Sequence, residues 1–194
     1  MTNTPLPSIQ SPAARAFAAV ADQYCQVIER RTSSTRERFL QDLHALLPRL
    51  YAAALALPPP DLPLESDDSS NEDGLQSPAE TIPSKDPDRG QTEEWMDLYT
   101  SLGSYIGSQN HYREIFDPYA ALPEPEVTGS LADDLADIYR DVRSGLRKWQ
   151  RGENDEALWE WRFNFESHWG EHVTGALRAL YVLTSTYDLG WPKL

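Results

Sequence analysis

The chain has a single cysteine, Cys25, so no internal disulfide can form, and a lone thiol fits a reducing compartment. It has no run of about twenty apolar residues, which excludes a membrane-spanning helix. The opening MTNTPLPSIQSPAARAF lacks the basic start and apolar block of a secretory leader. The expected location is therefore the cytoplasm. Positive charge is also scarce: 17 Lys and Arg face 31 Asp and Glu, a formal net charge of −14. Such a chain repels phosphate backbones and anionic lipid, so neither nucleic acid nor a membrane is an expected partner. The charge is uneven: 11–56 is slightly basic, whereas 57–91 and 92–194 are acidic. No internal repeat and no strand pattern stands out.

Aromatic residues are present in quantity: six Trp, nine Tyr and five Phe, enough with 40% hydrophobic residues to build one core. Ser11-Pro12 reads as a cap and first position of a helix whose apolar line is Phe17, Val20, Tyr24, Val27 and Ile28. Cys25 falls on this helix as a small core residue. Ser34 and Glu37 have capping-box spacing for a second helix, which Pro48 should kink or restart. Residues 58–90, with seven of the fifteen prolines and hardly a large apolar side chain, read as a disordered acidic linker. Thr92 should cap a third helix through Trp95, Leu98, Leu102 and Tyr105, stopped by Gly107. The aromatic loop from His111 to Tyr119 is the best sequence candidate for an exposed contact, with a lid over the bundle as the plainer alternative. Ser130 and Asp133 open a fourth helix along Leu131, Leu135, Ile138, Val142, Leu146 and Trp149, ended by Gly152. Asn154 then caps a last long helix towards Tyr187.

Its start, ALWEWRFNFESHWGEHV, alternates like a strand yet also repeats at helical spacing. Length decides for a helix, since the apolar pattern continues to Leu183. At 100° per residue the apolar arc is wide, and Arg162 and Glu166 interrupt it as an i,i+4 pair. They suggest either a structural ion pair completed by Tyr139 or Tyr112, or a polar pocket that also takes in His172 and Trp159. His168, Glu171 and His172 spell H-x-x-E-H, the inverted zinc-peptidase pattern, but Glu171 lies on the polar side and only Asp188 follows as a further carboxylate side chain. A looser metal site would use His168 and His172 with His111 or a fourth-helix aspartate, Asp134 or Asp137. The favoured reading packs both histidines against tryptophans, with no cofactor. Asp134 and Asp137 followed by Glu153 and Glu156 also resemble the carboxylate pairs with which helical nucleotide pyrophosphohydrolases hold Mg²⁺. Asp133, Asp137 and Arg140 lie off the leucine line, though, which reads as a solvated face.

The segments ADQYCQVIE, LLPRLYAAAL, SLADDLADIYRDVRSGLRKWQRG and ALWEWRFNFESHWGEHVTGALRAL together resemble the domain-of-unknown-function 5063 family of bacterial proteins. The likeness spans the first two helices and about Trp95 to Leu180, with WEWRFNFESHWGEH its most specific part. Residues 58–90 look like an insertion peculiar to this chain. The resemblance implies a compact helical fold and brings no activity or catalytic residue.

The expected architecture is thus all-α. A flexible stretch 1–10 precedes a single-domain bundle of about five helices over 11–187, interrupted by 58–90 and followed by a tail 188–194, with the Trp-rich helix central. The leading functional reading is a non-enzymatic interaction or regulatory protein that binds another protein. The first alternative is a hydrolase of a small phosphorylated or nucleotide substrate, dependent on zinc, manganese or magnesium. There Asp134, Asp137, Glu166, His168 and His172 would be ligands or bases, and Arg162 would bind the anion. The second is an acidic, immunity-type inhibitor of a basic toxin.

Overall fold

Local signals start the helices where hydroxyl side chains are available. In the computed structural model, which describes residues 11–58, 87–115, 119 and 126–185, the Ser11 hydroxyl accepts from the Ala14 N–H and opens helix α1, Pro12–Glu29, with proline in its first turn. Helix α2, Arg36–Leu55, is capped by Thr35 rather than Ser34. It runs unbroken through Pro48. Helix α3, Pro87–Ile106, starts five residues before the expected cap at Thr92, so positions 87–90 of the expected linker are helical. The rest of that linker, and the stretches expected to be a flexible start and a tail, lie outside the described residues. Gly107 ends α3 at φ +73°, a left-handed conformation natural to glycine.

The expected aromatic loop begins in a short strand, and a second strand precedes α4; the sequence signalled neither. Strand β1, His111–Glu114, pairs antiparallel with β2, Val127–Ser130, in the register His111↔Ser130 to Glu114↔Val127. Ser130 then caps α4, Leu131–Gln150, by accepting from the Asp133 N–H. Buried Asn110 reinforces this start: its side-chain oxygen accepts from the Ala132 N–H at 2.8 Å, and its carbonyl accepts from the Leu131 N–H at 2.8 Å.

The C-terminal segment is a helix, as its length predicts, but not a uniform one. Helix α5, Asn154–Asn164, passes through a π-helical turn, Phe165–Trp169, into α6, Gly170–Thr184. Glu153, not Asn154, occupies the cap position. The buried series Trp161, Phe165, Trp169 and Val173 advances by four residues at each step. In a plain α-helix each such step overshoots by about 40°, so the series would wind off the core. A π turn adds one residue to a turn and absorbs the drift.

With α5, the π turn and α6 counted as one, five helices make up the described chain, and the class is all-α with a minor two-stranded ribbon. Helix α4 packs on α1, α3, α5 and α6, and α6 bridges α4 and α2. Phe17 of α1 lies 4.7 Å from the Trp161 ring and 6.1 Å from Trp169, at the heart of the core. Among the described residues no helix is long and apolar enough to cross a membrane.

Candidate metal centre

Three aspartates on α4, Asp134, Asp137 and Asp141, follow an i, i+3, i+7 spacing that places them on one face. All three are buried, at 4%, 7% and 8% exposure, so this is no solvated face. They face α6 and the π turn, where His168 and His172 stand four residues apart. His172 Nδ1 lies 2.9 Å from Asp134 Oδ1, and His168 Nδ1 lies 2.7 Å from Asp141 Oδ2. An ionised carboxylate only accepts, so Nδ1 carries the proton in both rings. In the neutral ring, Nε2 of each imidazole is then the nitrogen with a lone pair.

Asp137 sits between them, its Oδ2 3.8 Å from His172 Nε2. One ligand atom each from Asp137, His168 and His172 lie within 4.8 Å of one another. Zinc ligands about 2.0–2.1 Å from a tetrahedral ion stand roughly 3.4 Å apart, so modest side-chain closure would complete three corners. The imidazole–carboxylate pairs to Asp134 and Asp141 are the outer arrangement that fixes the ring orientation of metal-binding histidines. The histidines are half-buried rather than packed away against tryptophans, leaving one side open to solvent. Arg140 closes another side: its Nη2 is 2.8 Å from Asp137 Oδ1, and its Nε is 3.3 Å from Asp141 Oδ1.

Tyr112 extends the network from β1. Its hydroxyl donates to Asp134 Oδ2 at 2.7 Å and lies 3.4 Å from Glu114 Oε2. The side chain lies against Gly129 and Gly175, where a Cβ would come within 2.6 Å of its ring and 2.5 Å of its hydroxyl oxygen, respectively. Burial, then the charge of Asp134 and the bond to it, raises the phenol pKa, so Tyr112 remains a donor. Burial also raises the Asp134 pKa, against the lowering by its bonds from His172 and Tyr112. For His172 burial opposes the charged form, but the bond to Asp134 and the charges of Asp134, Asp137 and Asp133 outweigh it and raise the pKa.

Of the metal candidates read from sequence, His168, His172, Asp134 and Asp137 come together, with Asp134 orienting a ring. His111 is exposed on β1, and no described contact ties its side chain to the cluster. Asp141 was missed, although its spacing from Asp134 and Asp137 was the available signal. Glu171 of the H-x-x-E-H pattern is exposed. Glu153 and Glu156 lie at the start of α5, and Glu153 pairs with Arg151, so they do not join Asp134 and Asp137 in a magnesium-type carboxylate set.

The expected polar cluster divides. Tyr112 and His172 share Asp134, whereas Arg162 pairs with Glu166 and donates to the Ala54 carbonyl at the end of α2. Glu166 is 58% exposed, so this is not a buried ion pair in the middle of an apolar arc. Tyr139 donates to Glu29 on α1, and Trp159 is exposed, stacked on Phe163.

A family model described as a domain of unknown function, DUF5063, matches residues 8–186. The chain belongs to the DUF5063 family. Among solved structures it is similar to the crystal structure of protein BF1032 from Bacteroides fragilis. That match has 26% identity and a TM-score of 0.66, and covers 92% of this chain and 96% of that one. No curated protein matches the chain.

Proposed function

We propose that this DUF5063 protein binds a divalent transition-metal ion through Nε2 of His168, Nε2 of His172 and the Asp137 carboxylate, and that the ion serves hydrolytic chemistry. The observation that carries this is the pairing of both Nδ1 atoms with carboxylates of the facing helix, which turns both Nε2 atoms out as ligands. Two imidazoles and one carboxylate suit zinc, and also iron or manganese. Three protein ligands leave a coordination position for water, as catalytic zinc sites do, and a metal-bound water ionises near neutral pH. Arg140 stands beside Asp137, where it can meet the negative oxygens of a small phosphorylated substrate.

Thermal unfolding of chelator-treated protein, with and without Zn²⁺, Mn²⁺ or Mg²⁺, tests the site. Metal at about a hundred times its dissociation constant adds roughly 2.7 kcal/mol. Zinc should raise the midpoint of the wild type and leave a His168→Ala/His172→Ala double variant unmoved. Magnesium, which prefers oxygen ligands, should do little to either. An unmoved wild type with every ion would overturn the reading.

A second reading is a non-enzymatic interaction module, supported by Trp159 and Phe163. They stack at 4.9 Å and are 42% and 50% exposed, the kind of aromatic pair that anchors protein interfaces. The net charge of −14 favours a basic protein partner, a toxin among them, whose binding would weaken in high salt. The lone cysteine supports a cytosolic setting for either reading.

A further inference from the structure

The strands β1 and β2 bury little, yet one residue of the ribbon is built into the bundle. Tyr112 leaves the half-buried face of β1 and passes between Gly129, its partner across the ribbon, and Gly175 of α6. Neither glycine has a positive φ, so backbone freedom does not account for them. A side chain at either position would take the tyrosine's space. A Cβ on Gly129 would sit 2.6 Å from Tyr112 Cζ, and one on Gly175 would sit 2.5 Å from its hydroxyl oxygen. Two elements thus make room for one phenol.

At the end of that gap the hydroxyl meets buried Asp134. The two oxygens of this carboxylate are divided: Oδ2 accepts from Tyr112 at 2.7 Å, and Oδ1 pairs with His172 Nδ1 at 2.9 Å. Glu114 Oε2 is 3.4 Å from the same hydroxyl, so the phenol proton goes to Asp134. Held from both sides, the carboxylate cannot swing without breaking a bond, and the imidazole plane follows it. His168 is supported differently. Its Nδ1 pairs with Asp141 Oδ2, and Asp141 Oδ1 meets Arg140. The support of His168 stays on α4, whereas that of His172 runs out of the helices to the ribbon.

We propose that Tyr112 is a positioning residue of the metal centre, through which docking of the β1–β2 ribbon and binding of the ion depend on each other. The inference rests on the proposed ligation by His168, His172 and Asp137. With the phenol seated, Asp134 presents His172 with Nε2 towards the ion. With the ribbon lifted, the carboxylate keeps one bond and the ring turns more freely. Linkage makes the dependence mutual: the factor that a docked ribbon adds to metal affinity is the factor that a bound ion adds to docking. Outer partners of metal-bound histidines contribute about tenfold or more in affinity, so about tenfold is expected in both directions.

Two measurements on the full chain test this: zinc affinity by competition with a chromophoric chelator, and amide exchange of residues 112–114 and 127–129 in ¹H–¹⁵N spectra. Tyr112→Phe keeps the ring between the glycines and removes the hydroxyl. It is expected to bind zinc about tenfold more weakly than the wild type. Saturating zinc should slow ribbon exchange about tenfold in the wild type and leave it unchanged in Tyr112→Phe. A purely structural tyrosine would change the stability of the metal-free protein and neither of these zinc-dependent differences. Gly129→Ala, which crowds the ring from β2, should act in the same direction and serves if Tyr112→Phe does not fold. Arg113→Met, which alters the exposed pair with Glu126 on the same strand, should bind zinc as the wild type does. Equal zinc affinity in wild type and Tyr112→Phe, or ribbon exchange that zinc slows equally in both, would overturn the proposal and leave the metal centre standing. A wild type that takes up no zinc would overturn the metal reading and this coupling together.

Discussion

The indole of Trp161 fills the space that a side chain at position 145 would need. A Cβ on Gly145 would press into the five-membered ring, well inside contact distance. Trp161 cannot retreat: its Nε1 donates to the Val142 carbonyl at 3.1 Å, and its ring lies against Phe17 and Trp149. Gly145→Ala is therefore expected to destabilise the fold by about 1–3 kcal/mol through overpacking. The urea midpoint should fall with an unchanged m-value. A neutral outcome would mean that α4 and α5 can slide apart here.

The π turn depends on Gly170, whose N–H donates to the Phe165 carbonyl five residues back. A Cβ there would collide with that same oxygen. Gly170→Ala should disfavour the wide turn and rotate His168 relative to His172. Far-ultraviolet circular dichroism should keep its helical form while zinc affinity falls by about tenfold or more, in line with the sensitivity of metal sites to ligand orientation. Unaltered zinc binding would show that the turn does not set the histidine geometry.

Asn110 holds the first turn of α4 with its side-chain oxygen and donates from Nδ2 to the Ser130 hydroxyl at 3.1 Å. Asn110→Ala strips the buried Ala132 N–H of its acceptor and should cost about 1–3 kcal/mol. Calorimetric midpoints of variant and wild type measure it. Asn110→Asp should retain more stability than the alanine variant, because an oxygen acceptor remains.

Burial pushes the Cys25 thiol from 9.0 up to about 12; the Arg143 cation opposes this, and Glu29 and Asp22 reinforce it. The folded pKa lies above that of the unfolded chain. The associated stability is therefore fully present below about pH 9 and is lost as the pH rises towards 12. At about 1.4 kcal/mol per unit the loss is on the order of 4 kcal/mol. Buried tyrosines titrate in the same alkaline range, so the Cys25 share is read as the difference from Cys25→Ala, whose stability should fall less steeply there. Native protein at pH 8 should also resist iodoacetamide, which denatured chain consumes. Rapid labelling of native protein would contradict the buried thiol.

The helices α1, α2 and α4 were legible because an uninterrupted 3.6-residue period survives in their sequence, as in Phe17, Tyr24 and Ile28. The Ser130 cap and the Gly152 stop were legible for local reasons too. The phase of the C-terminal helix was not. A wheel at 100° per residue cannot be carried through Phe165–Trp169, which is why Glu166 fell into the apolar arc on paper yet is exposed, whereas Arg162, ahead of the turn, is largely covered and ties the helix to α2. Asp137 was set on a solvated face because it lies off the leucine line. What holds the aspartates of α4 inside is a histidine or arginine partner for each, and the histidines lie about thirty residues further on, beyond any local pattern. The strands of HYRE and VTGS carry no apolar alternation, since the ribbon buries little on either face.

The chain has no second cysteine with which to staple itself. Asp137 and His168 nevertheless lie on different helices with about thirty residues between them. An ion held by both would close that loop as a covalent bridge does. By the chain-entropy estimate for a loop of this length, the unfolded state would be disfavoured by roughly 4 kcal/mol. Unlike a disulfide, such a clasp would respond to metal supply instead of redox potential, so the C-terminal helix would be fastened to the bundle only while the ion lasts.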